Sequence, residues 1–240
     1  MHYGAAVPLL AIRQLEKVCF SCVLSSVLFL YTIYVDALRR VLVSILLLAA
    51  ACPAFSAPLP ILVCFGDSIT AGYGVAPGNA YPDALQRKLG GNGYHYKVVN
   101  EGTSGATTKD AVASLPIVLK LHPAVVIVEF GGNDGLRGLP LAETRQNLEE
   151  VIAALQNAHA KVLLAGITLP PNYGPDYIHA FDAMFRELAA QHHTALVPMI
   201  YKDLVHVPGT IQADGIHPTA KGAAIVADTI WPVLKPLLRK

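Results

Sequence analysis

The sequence predicts a three-layer α/β/α domain built around a five-stranded parallel sheet. Three observations carry that prediction. After residue 57, short apolar runs alternate with segments of helical periodicity to the end of the chain. The clearest run, Ala124-Val-Val-Ile-Val-Glu-Phe130, is continuous and β-branched, as expected of a strand covered on both faces. The residues with the most chemical potential fall just after the strands, where open parallel sheets carry their ligand loops.

The elements follow in order. Pro60–Phe65, containing Ile61-Leu-Val-Cys-Phe65, reads as the first strand. Leu85 and Leu89 mark a helix. Tyr96-Lys-Val-Val-Asn100 is a second, weaker strand. Val112, Leu115 and Leu119 mark another helix, interrupted at Pro116 because proline removes an intrahelical bond. Ala124–Phe130 is the third strand. Leu148, Val151, Ile152 and Leu155 then recur at i, i+3, i+4, i+7, with Glu149, Glu150 and Gln156 between them. Ala160-Lys-Val-Leu-Leu-Ala-Gly166 is the fourth strand, and Ile178, Phe181, Met184, Phe185 and Leu188 form a second helical stripe. Ala195-Leu-Val-Pro198 is a short fifth strand. Thr219 is placed to cap a last helix carrying Ile225, Val226 and Ile230. With no internal repeat or low-complexity tract, residues 58–240 read as one domain.

The chain has 240 residues, 53% hydrophobic and 15% charged, with a formal net charge of +1. That balance excludes a disordered chain and a nucleic-acid binder. Part of the apolarity lies in the first 57 residues. Val18–Val35 is uncharged and about long enough to cross a bilayer. Val41–Ala51 is shorter and follows Arg39-Arg40, and Ala54-Phe-Ser56 supplies small residues for a cut. Residues 1–57 are therefore expected to be a hydrophobic extension and signal peptide, cleaved near 56/57. A signal so far from Met1 leads us to expect translation to start at Val35. The rivals are a retained N-terminal membrane anchor and a lipoprotein acylated at Cys52. The expected location is periplasmic or secreted. Cys64 is the one cysteine beyond the cut, so no internal disulfide is expected there. Cys19-x-x-Cys22 lies in an apolar run without a second pair and is not read as a zinc or redox half-site.

The chemistry centres on Asp214-Gly-Ile-His217-Pro218 and Gly66-Asp67-Ser68. A serine hydroxyl is a weak nucleophile until an imidazole takes its proton, and the imidazole works best when a carboxylate fixes its tautomer. Asp214 and His217 are three residues apart, so both side chains emerge from one turn. Thr70 breaks the Gly-x-Ser-x-Gly elbow, which points to a serine hydrolase of another type. Taken alone, Ser68 is as well read as a helix cap, Gly105 as a turn residue, and Gly131-Gly-Asn-Asp134 as turn chemistry. Taken together, the Asn133 amide and the N–H groups of Gly105 and Ser68 can meet a developing oxyanion. Asp134 orders that loop. His192, His193 and His206 lack metal-ligand spacing, so no metal is expected. There is no phosphate loop, and Gly72-x-Gly74-x-x-Pro77 fails the dinucleotide fingerprint, so no cofactor is expected.

These blocks — Gly-Asp-Ser, a glycine, Gly-x-Asn-Asp and Asp-x-x-His — resemble the GDSL, or SGNH, hydrolase superfamily. Glu129-Phe-Gly-Gly-Asn-Asp-Gly-Leu-Arg-Gly138 and Leu169-Pro-Pro-Asn-Tyr-Gly174 are similar to bacterial periplasmic esterases described as thioesterase I, lysophospholipase or arylesterase. The resemblance runs from about residue 60 to the C-terminus. It implies a flavodoxin-like sheet, with Ser68 as nucleophile, His217 as general base and then acid, and Asp214 orienting the imidazole. It implies an oxyanion hole of the Ser68 and Gly105 N–H groups and the Asn133 amide. It also implies a shallow acyl groove bordered by Gly135–Pro140 and Pro170–Tyr173, with Asp67, Asp134, Leu136, Pro171 and Tyr173 along it. Ala106 departs from the pattern, since close relatives often carry Asp there. The expected protein is a monomeric serine esterase acting on small-molecule carboxylic esters or thioesters: aryl esters, short to medium acyl esters, lysophospholipids or acyl-CoA. Its rivals are a carbohydrate O-deacetylase of the same superfamily and a membrane-anchored, non-catalytic binding protein. The Leu-Pro-Pro-Asn-Tyr-Gly block argues against the first, and the intact Ser, Gly, Asn and His set against the second.

Overall fold

A computed structural model describes the backbone of residues 9–50 and 58–240, and the side chains of residues 22–45 and 58–240. The chain divides into an N-terminal unit and a second unit, Pro58–Lys240. The N-terminal unit contains one helix, α1 (Leu9–Ala50). Two separate apolar stretches were expected there. A single helix runs through both, because Asp36, Arg39 and Arg40 cost a helix little. Within it, Cys22–Ile45 spans 24 residues at mean hydropathy 1.5, long and apolar enough to cross a membrane. At ~1.5 Å per residue the span is about 36 Å, against a hydrocarbon core of about 30 Å. Its large side chains, Phe29, Leu30 and Tyr31 among them, are exposed. The expected cleavage site near 56/57 and Cys52 lie outside the described residues.

The second unit is a five-stranded sheet. β1 (Ile61–Gly66) is followed by α2 (Ser68–Ala71) and α3 (Tyr81–Gly91), β2 (Lys97–Gly102) by α4 (Thr108–Lys120), and β3 (Val125–Glu129) by α5 (Gly132–Leu136) and α6 (Leu141–Asn157). β4 (Lys161–Ala165) leads through a 3₁₀ turn at Pro171–Tyr173 to α7 (Pro175–Gln191), and β5 (Ala195–Val197) through a long loop to α8 (Ala220–Leu234). The strand order is β2-β1-β3-β4-β5, every pair parallel. Cys64 sits opposite Asn100 of β2 on one side and Ile127 of β3 on the other. The chain leaves β1 in one direction to form β2 and returns to the other side as β3. Loops after β1 and β3 therefore part company above the sheet and open a crevice between them.

Burial explains why these segments became these elements. β3 is buried along its whole length, and its residues join those of β1 in one continuous core. Leu148, Val151, Ile152 and Leu155 of α6 are all fully buried, each worth about 1.5–3 kcal/mol. Phe181 and Phe185 of α7 meet edge to face with centroids 5.3 Å apart. At the start of α8, the Thr219 hydroxyl accepts the Gly222 N–H at 3.3 Å.

Three local expectations need correction. Pro116 does not interrupt α4. It removes the donor to one carbonyl, while Thr107 and Asp110 close a capping box and Leu115 and Val118 anchor the helix to the core, outweighing that loss. Gly131–Asp134 is not a plain turn, since residues 132–136 wind into α5. β5 stops at Val197, one residue short of Pro198, which has no N–H for the ladder.

Candidate active site

The loop that carries Ser68 is set by Asp67, the residue after β1. Its Oδ1 accepts the Ile69 N–H at 2.9 Å and so caps α2. Ser68 is thus the first residue of the helix and not its cap, which leaves its hydroxyl free for other work. After β5, Asp214 folds its own loop. Oδ1 accepts the N–H groups of Ile216 and His217, both at 3.0 Å. The other oxygen, Oδ2, lies 2.7 Å from His217 Nδ1, and His217 Nε2 lies 2.9 Å from Ser68 Oγ. The N–H groups of Ile216 and His217, followed by the imidazole, hold the Asp214 carboxyl down at about 2. It is ionised at neutral pH and can only accept, so the proton sits on Nδ1 and Nε2 faces the serine as a base.

Facing this chain is a cavity of about 220 Å³. Ser68, Gly105, Asn133 and His217 all line it, as do Asp67 and Leu136. Asn133 stands on the first turn of α5, where Nδ2 donates to Ala106 O at 3.0 Å and to Asp67 Oδ2 at 3.1 Å. Gly105 has φ +80°, a conformation that favours glycine, and its carbonyl accepts from Arg137 Nη2 at 2.8 Å.

The other expected groove residues sit elsewhere. Asp134 is 2% exposed and turns into the protein. Its carboxylate accepts the Thr108 N–H at 2.9 Å and the Thr108 hydroxyl at 2.6 Å, fastening α4 beneath the loop. A carboxylate with those partners has no reason to face substrate. Pro171 is exposed, and neither it nor Tyr173 lines the cavity. The Tyr173 hydroxyl donates to Leu136 O at 2.7 Å and braces α5 from outside.

Several residues at the site escaped the sequence reading. Tyr73, Ile167 and Ile216 supply apolar walls. The Tyr73 ring lies 4.6 Å from the imidazole of His217, tilted by 43°. Ile167 follows β4, a position the strand pattern flags, while nothing local marks Tyr73. Glu129 is the second omission. It ends β3 at 1% exposure, and its Oε2 accepts the Thr70 hydroxyl at 2.8 Å and the Asp67 N–H at 3.3 Å. Thr70 in turn meets the Tyr81 hydroxyl at 2.9 Å. Burial pushes the Glu129 carboxyl well above its ordinary range, and the neighbouring Asp67 charge pushes the same way. Burial raises Asp67 to about 6, against the pull of the Ile69 N–H. A lone Glu inside an apolar β-branched run was the available signal. Among the described residues, no three His, Cys, Asp or Glu side chains converge as metal ligands.

Residues 64–225 match the GDSL-like lipase/acylhydrolase family. Esterase TesA of Pseudomonas aeruginosa is 46% identical over 178 residues, covering 74% of this chain and 89% of that protein. Thioesterase 1/protease 1/lysophospholipase L1 of Escherichia coli is 38% identical over 178 residues, covering 74% of this chain and 84% of that protein. A crystal structure of TesA superposes with a TM-score of 0.72 at 45% identity, covering 74% of this chain and 99% of the other.

Proposed function

The chain belongs to the GDSL-like lipase/acylhydrolase family, and on that premise we propose that Ser68, His217 and Asp214 hydrolyse its substrates through an acyl-enzyme. It is a carboxylic ester hydrolase acting on small-molecule esters or thioesters. The single observation behind the mechanism is the run of two contacts, Asp214 Oδ2 to His217 Nδ1 at 2.7 Å and His217 Nε2 to Ser68 Oγ at 2.9 Å.

Ser68 Oγ attacks the acyl carbonyl while its proton passes to His217 Nε2. The carbonyl oxygen becomes an oxyanion facing Asn133 and the N–H groups of Gly105 and Ser68. The Asn133 amide has two hydrogens and two protein acceptors, so the oxyanion takes over a share of one of them. Against the neutral Ala106 carbonyl the charge-assisted bond to the oxyanion is the stronger, which favours the transition state over the ground state. Collapse expels the alcohol or thiol with the proton from His217. Water then attacks the acyl-enzyme while His217 takes its proton; the C–Oγ bond breaks, His217 returns that proton to Ser68 Oγ, and the acid leaves.

The cavity is smaller than the 300–1,000 Å³ typical of ligand pockets, and Leu136, Ile167, Ile216 and Tyr73 give it an apolar wall. It therefore receives short acyl groups, with the leaving group outside in solvent. The apolar N-terminal helix supports export, by cleavage or as a tether, with the hydrolase domain working in the periplasm or beyond.

Two measurements test the reading. A fluorophosphonate should label the wild type once per chain, at Ser68, and should not label Ser68→Ala. Aryl esters of rising acyl length should then show kcat/KM greatest at short chains. An enzyme that hydrolyses acetylated sugars in preference to every aryl ester would overturn the substrate assignment.

A further inference from the structure

The residues of the proposed triad come from two loops that are far apart in sequence, and something must hold them in contact. We propose that Gln212 is a positioning residue that straps the Ser68 loop to the His217 loop, and that turnover depends on this strap. Its Nε2 donates to Tyr73 O at 2.7 Å and to Pro218 O at 2.8 Å, one hydrogen to each loop. Its backbone N–H donates to His217 O at 2.8 Å, and Ile211 beside it bridges to Pro218. On the other loop, the Tyr73 N–H donates to Ser68 O at 3.0 Å.

These bonds form a closed circuit. It runs from Ser68 through Tyr73 and Gln212 to His217, and returns across the 2.9 Å contact between His217 Nε2 and Ser68 Oγ. Among the described residues, the Gln212–Tyr73 and His217–Ser68 hydrogen bonds are the two that join segments 68–74 and 211–218. Without Gln212, the bond that must rearrange during proton transfer would be the one hydrogen bond left between them, beside the ring contact of Tyr73 with His217.

Gly74 gives independent support. A Cβ on it would lie 2.2 Å from Gln212 Oε1 and 2.7 Å from Nε2, so the missing side chain is the seat in which the amide rests. Gly74 also has φ +75°, so the loop turns sharply enough to aim the Tyr73 carbonyl at that amide. Two features on separate loops, a glycine and a glutamine, fit one another at a place the triad itself does not require.

The strap acts through geometry, so its loss should misplace the imidazole without altering the cavity or the charges around it. This inference rests on the proposed nucleophile and base, and the test separates the two. Gln212→Ala, Gln212→Met and Gly74→Ala are compared with wild type in steady-state aryl ester hydrolysis and in the rate of fluorophosphonate labelling. The final extent of labelling counts the folded enzyme, so a partly unfolded variant is still scored per folded site. Each variant should lose about ten- to a hundredfold in kcat and in labelling rate, with KM held within about twofold and the pH profile unmoved. Gln212→Met keeps the length of the side chain and removes its amide, and with it both donated bonds. If that variant turns over and labels within twofold of wild type, the strap is refuted. A rise in KM at constant kcat would instead make Gln212 a support of the Tyr73 wall, and a displaced acid limb would make it a tuner of His217; either overturns the proposal. Wild type that fails to label at Ser68 would overturn the nucleophile assignment, whatever the variants do.

Discussion

The side-chain amide of Asn133 donates to Asp67 Oδ2 at 3.1 Å, so the residue before the proposed nucleophile grips the proposed oxyanion donor. The other oxygen of Asp67 caps α2 through Ile69. One carboxylate therefore registers two loops on opposite sides of the crevice, those after β1 and β3. The donor amide is aligned before substrate arrives, which is the condition under which such groups accelerate a reaction most.

Asn133→Ala should lower kcat by about 10²–10³ and change KM little, because the oxyanion exists only near the transition state. Steady-state kinetics on one aryl ester decide it. An unaltered kcat would remove Asn133 from the mechanism.

Asp214→Asn tests the tautomer argument. The amide can still bond to the ring, but its NH₂ can present a donor to Nδ1 and leave the proton on the nitrogen that faces Ser68. A loss of about 10³–10⁴ in kcat at pH 7 is expected. The wild-type carboxyl, held at about 2, remains ionised as pH falls through the weakly acidic range. Its folded-state pKa is depressed, so its contribution to stability is present above the unfolded value near 4 and disappears between about 4 and 2. The Tm advantage of wild type over Asp214→Asn should shrink across that window.

Most of the fold was legible in the sequence because it depends on period and apolarity. β3 and the stripe of α6 announce themselves. The proposed triad could be picked out because Asp214 and His217 make their contacts within one local turn, and Ser68 follows a clear strand. The residues that were missed owe their roles to long-range packing. Tyr73 reaches His217, 144 positions on, only because two loops converge above the sheet. Asp134 orders its loop as expected but does not border the groove: it sits beside Asn133 in sequence, and only the winding of α5 shows that their side chains diverge, one to the cavity and one to Thr108. Pro116 misled because a local rule was applied where burial of Leu115 and Val118 decides.

Glu129→Gln probes the buried acid behind the Ser68 loop. The folded-state pKa of Glu129 is raised, so its contribution to stability is complete below the unfolded value near 4.3 and is lost as pH rises towards the folded value. Glutamine keeps an acceptor for the Thr70 hydroxyl and has no proton to lose. The Tm of Glu129→Gln relative to wild type should therefore climb from pH 5 to pH 8. Parallel Tm curves over that range would show that Glu129 titrates in the fold as it does in water.

The end of α6 offers a gain in stability remote from the site. His159 adopts φ +63° after the helix, with its N–H bonded to Gln156 O at 2.8 Å and the Ala160 N–H to Leu155 O at 3.0 Å. That is a Schellman closure, in which glycine is the favoured residue because a Cβ in the left-handed region crowds the backbone. The His159 side chain is exposed and has no hydrogen-bond partner among the described residues, so little is forfeited by removing it. His159→Gly relieves roughly 1 kcal/mol of backbone strain and gives back part of it through the greater freedom of glycine in the unfolded chain. The expected net effect is a few tenths to about 1 kcal/mol, or about 1–3 °C in Tm for a domain of this size, with kcat/KM unchanged. His159→Ala makes the control: it removes the same imidazole but keeps the Cβ, so its Tm should stay at the wild-type value. If alanine stabilises as much as glycine, the gain comes from losing the ring and not from relaxing the turn.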